Sequence, residues 1–480
     1  MSFILQPAAA SGGTITAVAS GSLATGQTVV LNTDGTVTAV SGSNGVTGTP
    51  VIYNSAASSN YMGSVYDPVT GKIVIAFVNG QLGGSYAIVG TVSGSTISFG
   101  SPILFALTSG VQFSLAYDSV NSKVVIAYAN FNGSIYEAKT IIGTVSGTSI
   151  SFGTAVSFQS VDNTRSIAIA YIGSGKIIAF AATGASYATG FFAGTISGTS
   201  ISFGILAISS TSGLTNCGPK AISYDSVNNK FVCTYSNNSP AVFTIVGSVS
   251  GTTVTLGAAS TVSSISIGNY TTSSTYDIAS GKTVITYGNN STTYVNVGTI
   301  SALTLSLGTA YTLPSGNSLF VNPSYDVSNS RIIFVYDSGL NLVYSVGYVS
   351  GSTISISSSA TILTTTLASN SYCVSCYDST NIKIVASYID SSTVGDALVF
   401  QSESSNLRTK PFIGFSSSAY SNGNTATINI IGSTDSNQSG MSIGVAQYVQ
   451  ANGSLGIAPA QSQTAYAGYS LSATKILVKG

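Results

Sequence analysis

Between residues 113 and 158 apolar and small polar positions alternate in four short runs: "FSLAYD", "KVVIAYAN", "AKTIIGTVSG" and "TSISFGTAVSF". A period of two, broken by Gly, Asn and Ser and nowhere replaced by helical spacing, predicts four β-strands. The unit then repeats. "YDPVTGK" begins at Tyr66, "YDSVNSK" at Tyr117, "YIGSGK" at Tyr171, "YDSVNNK" at Tyr224, "YDIASGK" at Tyr276, "YDVSNSR" at Tyr325 and "YDSTNIK" at Tyr377. A recurrence of about 50 residues holding four antiparallel strands is the signature of a propeller blade. The chain is therefore expected to be all-β, with a seven-bladed β-propeller of four-stranded antiparallel blades over residues 48–401.

A second phrase marks the third strand of each unit: "GTVSG" at 90 and 143, "GTISG" at 194, "GSVSG" at 247, "GTIS" at 298 and "GYVSG" at 347. It occurs one time fewer than the Tyr-Asp turn, and "GTPVIYN" at 48 to 54 matches the outer-strand tails "GSPILFA" and "GTAVSFQ". An N-terminal outer strand is thus expected to complete the last blade and close the ring without a free edge.

Strand order predicts that the Tyr-Asp and "VSG" hairpins share one face and that the variable loops lie on the other, where binding is usually carried. Those loops supply Asn132, Tyr136, Tyr187, Asn237, Asn238, Asn290, Tyr294, Asn341 and Tyr344 as candidate ligand contacts, since tyrosine rings stack on sugars and amides bond to hydroxyls. The same residues also suit strand edges and turns.

The Tyr-Asp phrase reads as turn chemistry. Asp67, Asp118, Asp225, Asp277, Asp326 and Asp378 each begin a turn by accepting backbone N–H groups, and Lys72, Lys123, Lys230, Lys282, Arg331 and Lys383 close it. Across the hairpin, Asp and base are expected to form an exposed pair worth about 0.2–1 kcal/mol. A calcium or catalytic ring of these acids is the competing reading.

Charge narrows the possible partners. Lys plus Arg is 14, Asp plus Glu is 14, and charged residues are 6% of 480 residues. Without a basic excess the chain has no footprint for nucleic acid or an anionic membrane surface. No apolar run is long enough to insert into a membrane as a helix. "MSFILQPAAASGG" lacks the basic start and apolar stretch of a secretory signal.

The absence of His excludes Ser-His-Asp and Cys-His catalysis and any His-ligated metal. Cys217, Cys233, Cys373 and Cys376 read as buried small residues, with the last two on opposite faces of one strand. No cofactor is expected and the chain is not read as an enzyme, although Asp162, Asp337, Asp390 and Asp396 near the loops leave a glycan hydrolase as a minor alternative.

Outside the repeats lie residues 1–47, an N-terminal β-module or attachment segment, and residues 402–480. The latter contain "SNGNTATINIIG", "NQSGMSIG", "YVQANGSL" and "AGYSLSATKILVKG", in that order. This segment resembles a small β-module at the ends of structural proteins of tailed phages, especially marine and cyanobacterial ones, and "ASGSLATGQTVVLNTDGTVTAV" near the N-terminus is loosely similar. The resemblance implies a virion protein, made in the host cytoplasm and released by lysis, that contacts other virion proteins through its end modules. On this basis the chain is expected to be a surface-exposed, multicopy or homo-oligomeric protein that binds host-surface glycan as a tail fibre or adhesin. A capsid-decorating or head-fibre protein without a specific ligand is the alternative.

Overall fold

Strand formation follows from what each alternating face meets. The computed structural model describes residues 13–43, 45–55, 58–107, 111–131, 133–161, 166–183, 188–209, 214–216, 221–237, 241–264, 272–289, 292–314, 321–338, 341–357, 359–364, 367, 373–458 and 465–479. The chain forms two units, one of Thr47–Gln401 and one joining Met1–Val46 to Ser402–Gly480.

In the larger unit the first sheet runs Ser58–Asp67, Lys72–Asn79, Ser85–Ser93, then an outer edge in two pieces, Thr96–Phe99 and Ile103–Ala106. Both outer pieces pair antiparallel with the third strand. Six further sheets repeat the plan, with inner strands beginning at Val111, Ile167, Leu214, Ser273, Val321 and Val374. Neighbouring inner strands pack on one another around an axis, and that of the last sheet packs on that of the first. The unit is a closed all-β propeller. Its last sheet takes its outer edge from Val51–Asn54, with Ile52 opposite Asp396 and Val51 opposite Ala397, and Gly48 N donates to Val399 O at 2.8 Å.

The second strands read as almost unbroken apolar runs because both of their faces are covered. In "KIVIAFVN", Ile73, Ile75 and Phe77 join a core with Val374, Val385 and Val399 of the last sheet. The alternate residues Val74, Ala76 and Val78 join Val124, Ile126 and Tyr128 of the next sheet. Each such side chain contributes roughly 1.5–3 kcal/mol by leaving water. Cys376 and Cys373 follow the same rule, the first facing the first sheet and the second facing the sixth.

The recurrent Gly at the outer corner is a contact residue. A Cβ on Gly100 would lie 1.9 Å from Thr148 O of the next sheet, and one on Gly48 would lie 1.7 Å from Ser95 O at the ring closure. Gly100→Ala is expected to lower the urea midpoint of the propeller by an amount equivalent to about 1–3 kcal/mol, the usual cost of overpacking; an unchanged midpoint would show that the sheets separate freely there.

The terminal pieces, read from the sequence as separate modules, build one unit. Thr14–Val18 pairs with Thr425–Asn429, and Thr28–Leu31 with Phe412–Ser416, in a sheet finished by Val37–Ala39. A second sheet holds Thr434–Asp435, Ile476–Val478, Tyr466–Ser470, Ala446–Val449 and Leu455–Gly456. Val30, Phe415, Val449, Ile476 and Val478 share its core. The "NQSG" motif is structural here. Asn437 and Gln438 donate to the buried Asp435 carboxylate at 3.0–3.1 and 2.7 Å, and Asn429 donates at 3.1 Å.

Candidate functional site

At the Tyr-Asp end of the propeller axis lies a cavity of about 490 Å³. Every sheet contributes to its wall: Ser64, Leu115, Ile169, Ile222, Ser274, Thr275, Ser324 and Cys376 lie along it, with Tyr66, Tyr117, Tyr171, Tyr325 and Tyr377 toward the turns. Among the described residues none that lines the wall is charged. The inner strands carry Ser where a fully buried strand would carry an apolar residue because these hydroxyls link neighbouring sheets. Ser114 Oγ accepts from Ile169 N at 2.9 Å, and Ser324 Oγ lies 2.9 Å from Ser375 Oγ. These serines are not among the candidates that loop position and residue type single out. Their signal is a Ser one to three places before the repeated Tyr.

Four of the tyrosines tie a turn to the sheet that follows it. Tyr66 OH donates to Thr380 Oγ1, Tyr377 OH donates to Ser328 Oγ at 2.8 Å, and Tyr325 OH accepts from Ala279 N at 3.2 Å. Ser119 Oγ donates to Tyr171 OH at 3.3 Å. Tyr117 and Tyr276 face the carboxylates of Asp67 and Asp225 without closing a hydrogen bond of normal length. Burial first, then Asp67, pushes the Tyr117 hydroxyl up to about 12. The preceding turn of the remaining tyrosine has Ile172 in place of Asp, and Tyr224 OH donates instead to Asn229 of its own turn at 3.0 Å.

The Asp residues accept from donors of their own turns and do not form exposed pairs with the bases. All six are buried. Asp118 Oδ1 accepts from Val120 N at 2.9 Å and Asn121 N at 3.3 Å, while Oδ2 accepts from Asn121 Nδ2 at 2.6 Å. Asp225 and Asp378 are held by the same set of donors from their own turns, Asp67 by Val69 N, Thr70 N and Thr70 Oγ1, and Asp277 by Ala279 N and Ser280 N.

The lysines bond elsewhere. Lys72 Nζ donates to Thr91 Oγ1 and Lys282 Nζ to Thr299 Oγ1, each at 2.8 Å, and Lys383 Nζ donates to Gln401 Oε1 at 2.7 Å. Lys123 and Lys230 stand opposite Asp118 and Asp225 in register. Among the described residues the only ion pairs are Lys139–Glu137 and the buried Arg331–Asp326. The reason is geometric: the carboxylate turns back into its own loop, so the amine finds its partner across the sheet.

Among the described residues the variable-loop candidates are not gathered into one site. Tyr344 is 8% exposed and packs on Phe400 at 5.1 Å, which removes it as a ligand contact. Tyr294 stacks on Tyr287 at 5.5 Å and Tyr136 meets Phe131 in a tilted contact at 5.0 Å, both tyrosines half-buried against cores between sheets. Asn341 is half-buried at the start of its strand, opposite Ser338. Asn132, Tyr187, Asn238 and Asn290 lie outside the described residues, and of Asn237 only the backbone is described.

Among the described residues no three acids, cysteines or histidines come together as metal ligands. Asp162 lies outside them. Asp396, 7% exposed, is pushed up to about 6 by burial and then by Asp390 across its hairpin. A carboxyl raised in the folded state favours folding while protonated, so this contribution is whole below about pH 4 and is lost as pH rises through about 6. Asp396→Asn is expected to stabilise the propeller by about 1–2 kcal/mol at pH 8, a figure reduced for residual contact with water, and to leave stability at pH 4 unchanged. Equal urea midpoints for the two proteins at pH 8 would contradict this.

No protein-family profile and no curated protein matches the chain. Among solved structures it is similar to the β-propeller domain of Myceliophteria thermophila Cps50 (Swd1), at 7% identity over 73% of this chain and 99% of that one, with a TM-score of 0.45. It is also similar to a K499G mutant of the NanB sialidase from Streptococcus pneumoniae, at 9% identity over 60% and 67% of the two chains and a TM-score of 0.44. For the SapL1 lectin in complex with alpha methyl fucoside the identity is 10%, the coverage 62% and 96%, and the TM-score 0.40.

Proposed function

We propose that residues 47–401 are a seven-bladed propeller that binds a neutral glycan in its axial cavity, carried on a terminal unit that mounts it in many copies on the surface of a tailed-phage particle. The observation that supports binding is the uncharged cavity wall, in which the hydroxyls of Ser64, Ser274, Thr275 and Ser324 and the tyrosine rings stand among apolar side chains such as Leu115 and Ile169. Such a wall suits a polyol and repels neither an acid nor a base by field. The resemblance of residues 402–480 to phage end modules supports the mounting.

Because net charge is zero, long-range attraction contributes little, and binding is expected to change little between low and high salt. Single copies bind weakly, while particle display adds about 10²–10⁴ in avidity. Thr275→Trp fills the cavity from a half-exposed wall position and is expected to abolish binding of purified protein to host-derived neutral oligosaccharides by calorimetry. Asn341→Ala, on the opposite face, should leave it intact. Binding that survives Thr275→Trp would exclude the axial site. Particles that bind no host glycan but carry the protein in a capsid lattice would favour the decorating role.

A further inference from the structure

The two sheets of the terminal unit are the same object built twice. In chain order the first is made from Thr14–Val18, Thr28–Leu31, Val37–Ala39, Phe412–Ser416 and Thr425–Asn429. The second is made from Thr434–Asp435, Ala446–Val449, Leu455–Gly456, Tyr466–Ser470 and Ile476–Val478. In space both sheets run first, fifth, fourth, second, third.

The agreement extends to single atoms. Gly26 N donates to Ser416 O at 2.8 Å, and Gly444 N to Ser470 O at 2.8 Å. Ser416 Oγ accepts from Gln27 N at 3.0 Å and donates to Ala24 O; Ser470 Oγ accepts from Val445 N at 3.1 Å and donates to Ser442 O. In the hairpin between second and third strands, Thr36 N donates to Asp34 Oδ1 at 3.0 Å and Ser454 N to Asn452 Oδ1 at 3.0 Å. Backbone angles agree as well: φ is 73° at Gly26 and 75° at Gly444, 83° at Gly35 and 87° at Gly453. Unrelated sheets do not share strand order, side-chain bonds and left-handed positions at matched places.

One difference remains. In the second copy the third and fourth strands are joined by residues 457–465, a short connection. In the first copy the chain leaves Ala39 and returns at Phe412 only after the whole of Thr47–Gln401. We propose that the terminal unit is one β-module duplicated in tandem, that the propeller is cargo inserted into the third-to-fourth connection of the first copy, and that the matching connection of the second copy, after Ala458, is a further display position without cargo. The chain before and after the insertion comes back to one sheet, so the module tolerates a large body at that point. This inference stands whatever the propeller binds.

The test is made on the full-length protein. A small, independently folding domain with adjacent termini is inserted after Ala458, or after Thr33 in the tight hairpin as a control. Unfolding is followed by calorimetry. Insertion after Ala458 is expected to keep the transition of the terminal unit within about 3 °C and to leave that of the propeller unmoved, whereas insertion after Thr33 removes the terminal transition. Loss of the terminal transition on insertion after Ala458 would overturn the proposal. The duplication is tested separately by Ser416→Ala and Ser470→Ala, which should lower the terminal transition by equal amounts, to within twofold, and leave the propeller transition in place. A shift from one substitution alone would show that the two sheets are not equivalent.

Discussion

Replacing Arg331 by leucine is expected to cost the propeller about 3–5 kcal/mol, read as a fall in its urea midpoint. Arg331 is 1% exposed, and its Nε donates to Asp326 Oδ2 at 2.8 Å. Removing the guanidinium strands a buried carboxylate that Asn329 N and Nδ2, at 3.2 and 2.8 Å, satisfy only in part. The double substitution Asp326→Asn with Arg331→Leu should recover much of the loss, because it leaves no uncompensated charge. Arg331→Lys should be far milder: five other turns carry Lys at this place and hold their Asp without an ion pair. A midpoint for Arg331→Leu within error of the parent would show that water reaches Asp326.

Asp225→Ala is expected to cost about 2–3 kcal/mol, since one buried carboxylate accepts from Val227 N at 3.0 Å, Asn228 N at 3.0 Å and Asn228 Nδ2 at 2.7 Å. Burial raises this carboxyl, but the Asn228 bonds and the nearby Tyr276 hydroxyl outweigh it and hold it below the ordinary range. A group depressed in the folded state stabilises above its unfolded pKa of about 3.9 and stops doing so as pH falls through its folded value. The difference between parent and Asp225→Ala should therefore be full at pH 6 and shrink below about pH 4. A difference that is constant across this range would assign the loss to packing alone. The opposite slope at Asp396 gives an internal control on the same molecule.

Much of this fold is legible one residue at a time. The alternation in "TSISF" depends only on strands having two faces, and the Asp at the head of six of the turns depends on bonds to donors close by in its own loop. The fate of the lysines was not legible. Asp118 and Lys123 do sit in register, yet whether an amine meets the carboxylate or a hydroxyl on the third strand is decided by where the turn points the Asp. Likewise Tyr344 reads in sequence as a loop aromatic, and only the neighbouring sheet, through Phe400, makes it core.

By itself the sequence determined the repeat, the strands and their turns, and the supply of the last outer edge by residues near 51–54, because period, alternation and capping are short-range properties of the chain. Only the tertiary structure decided that tyrosines such as Tyr377 serve the preceding turn, that the inner-strand serines bound an axial cavity, and that residues 14–39 and 412–429 share one sheet. Those are contacts between segments tens to hundreds of residues apart, and nothing in a local pattern specifies which distant partner a hydroxyl or a strand edge will meet.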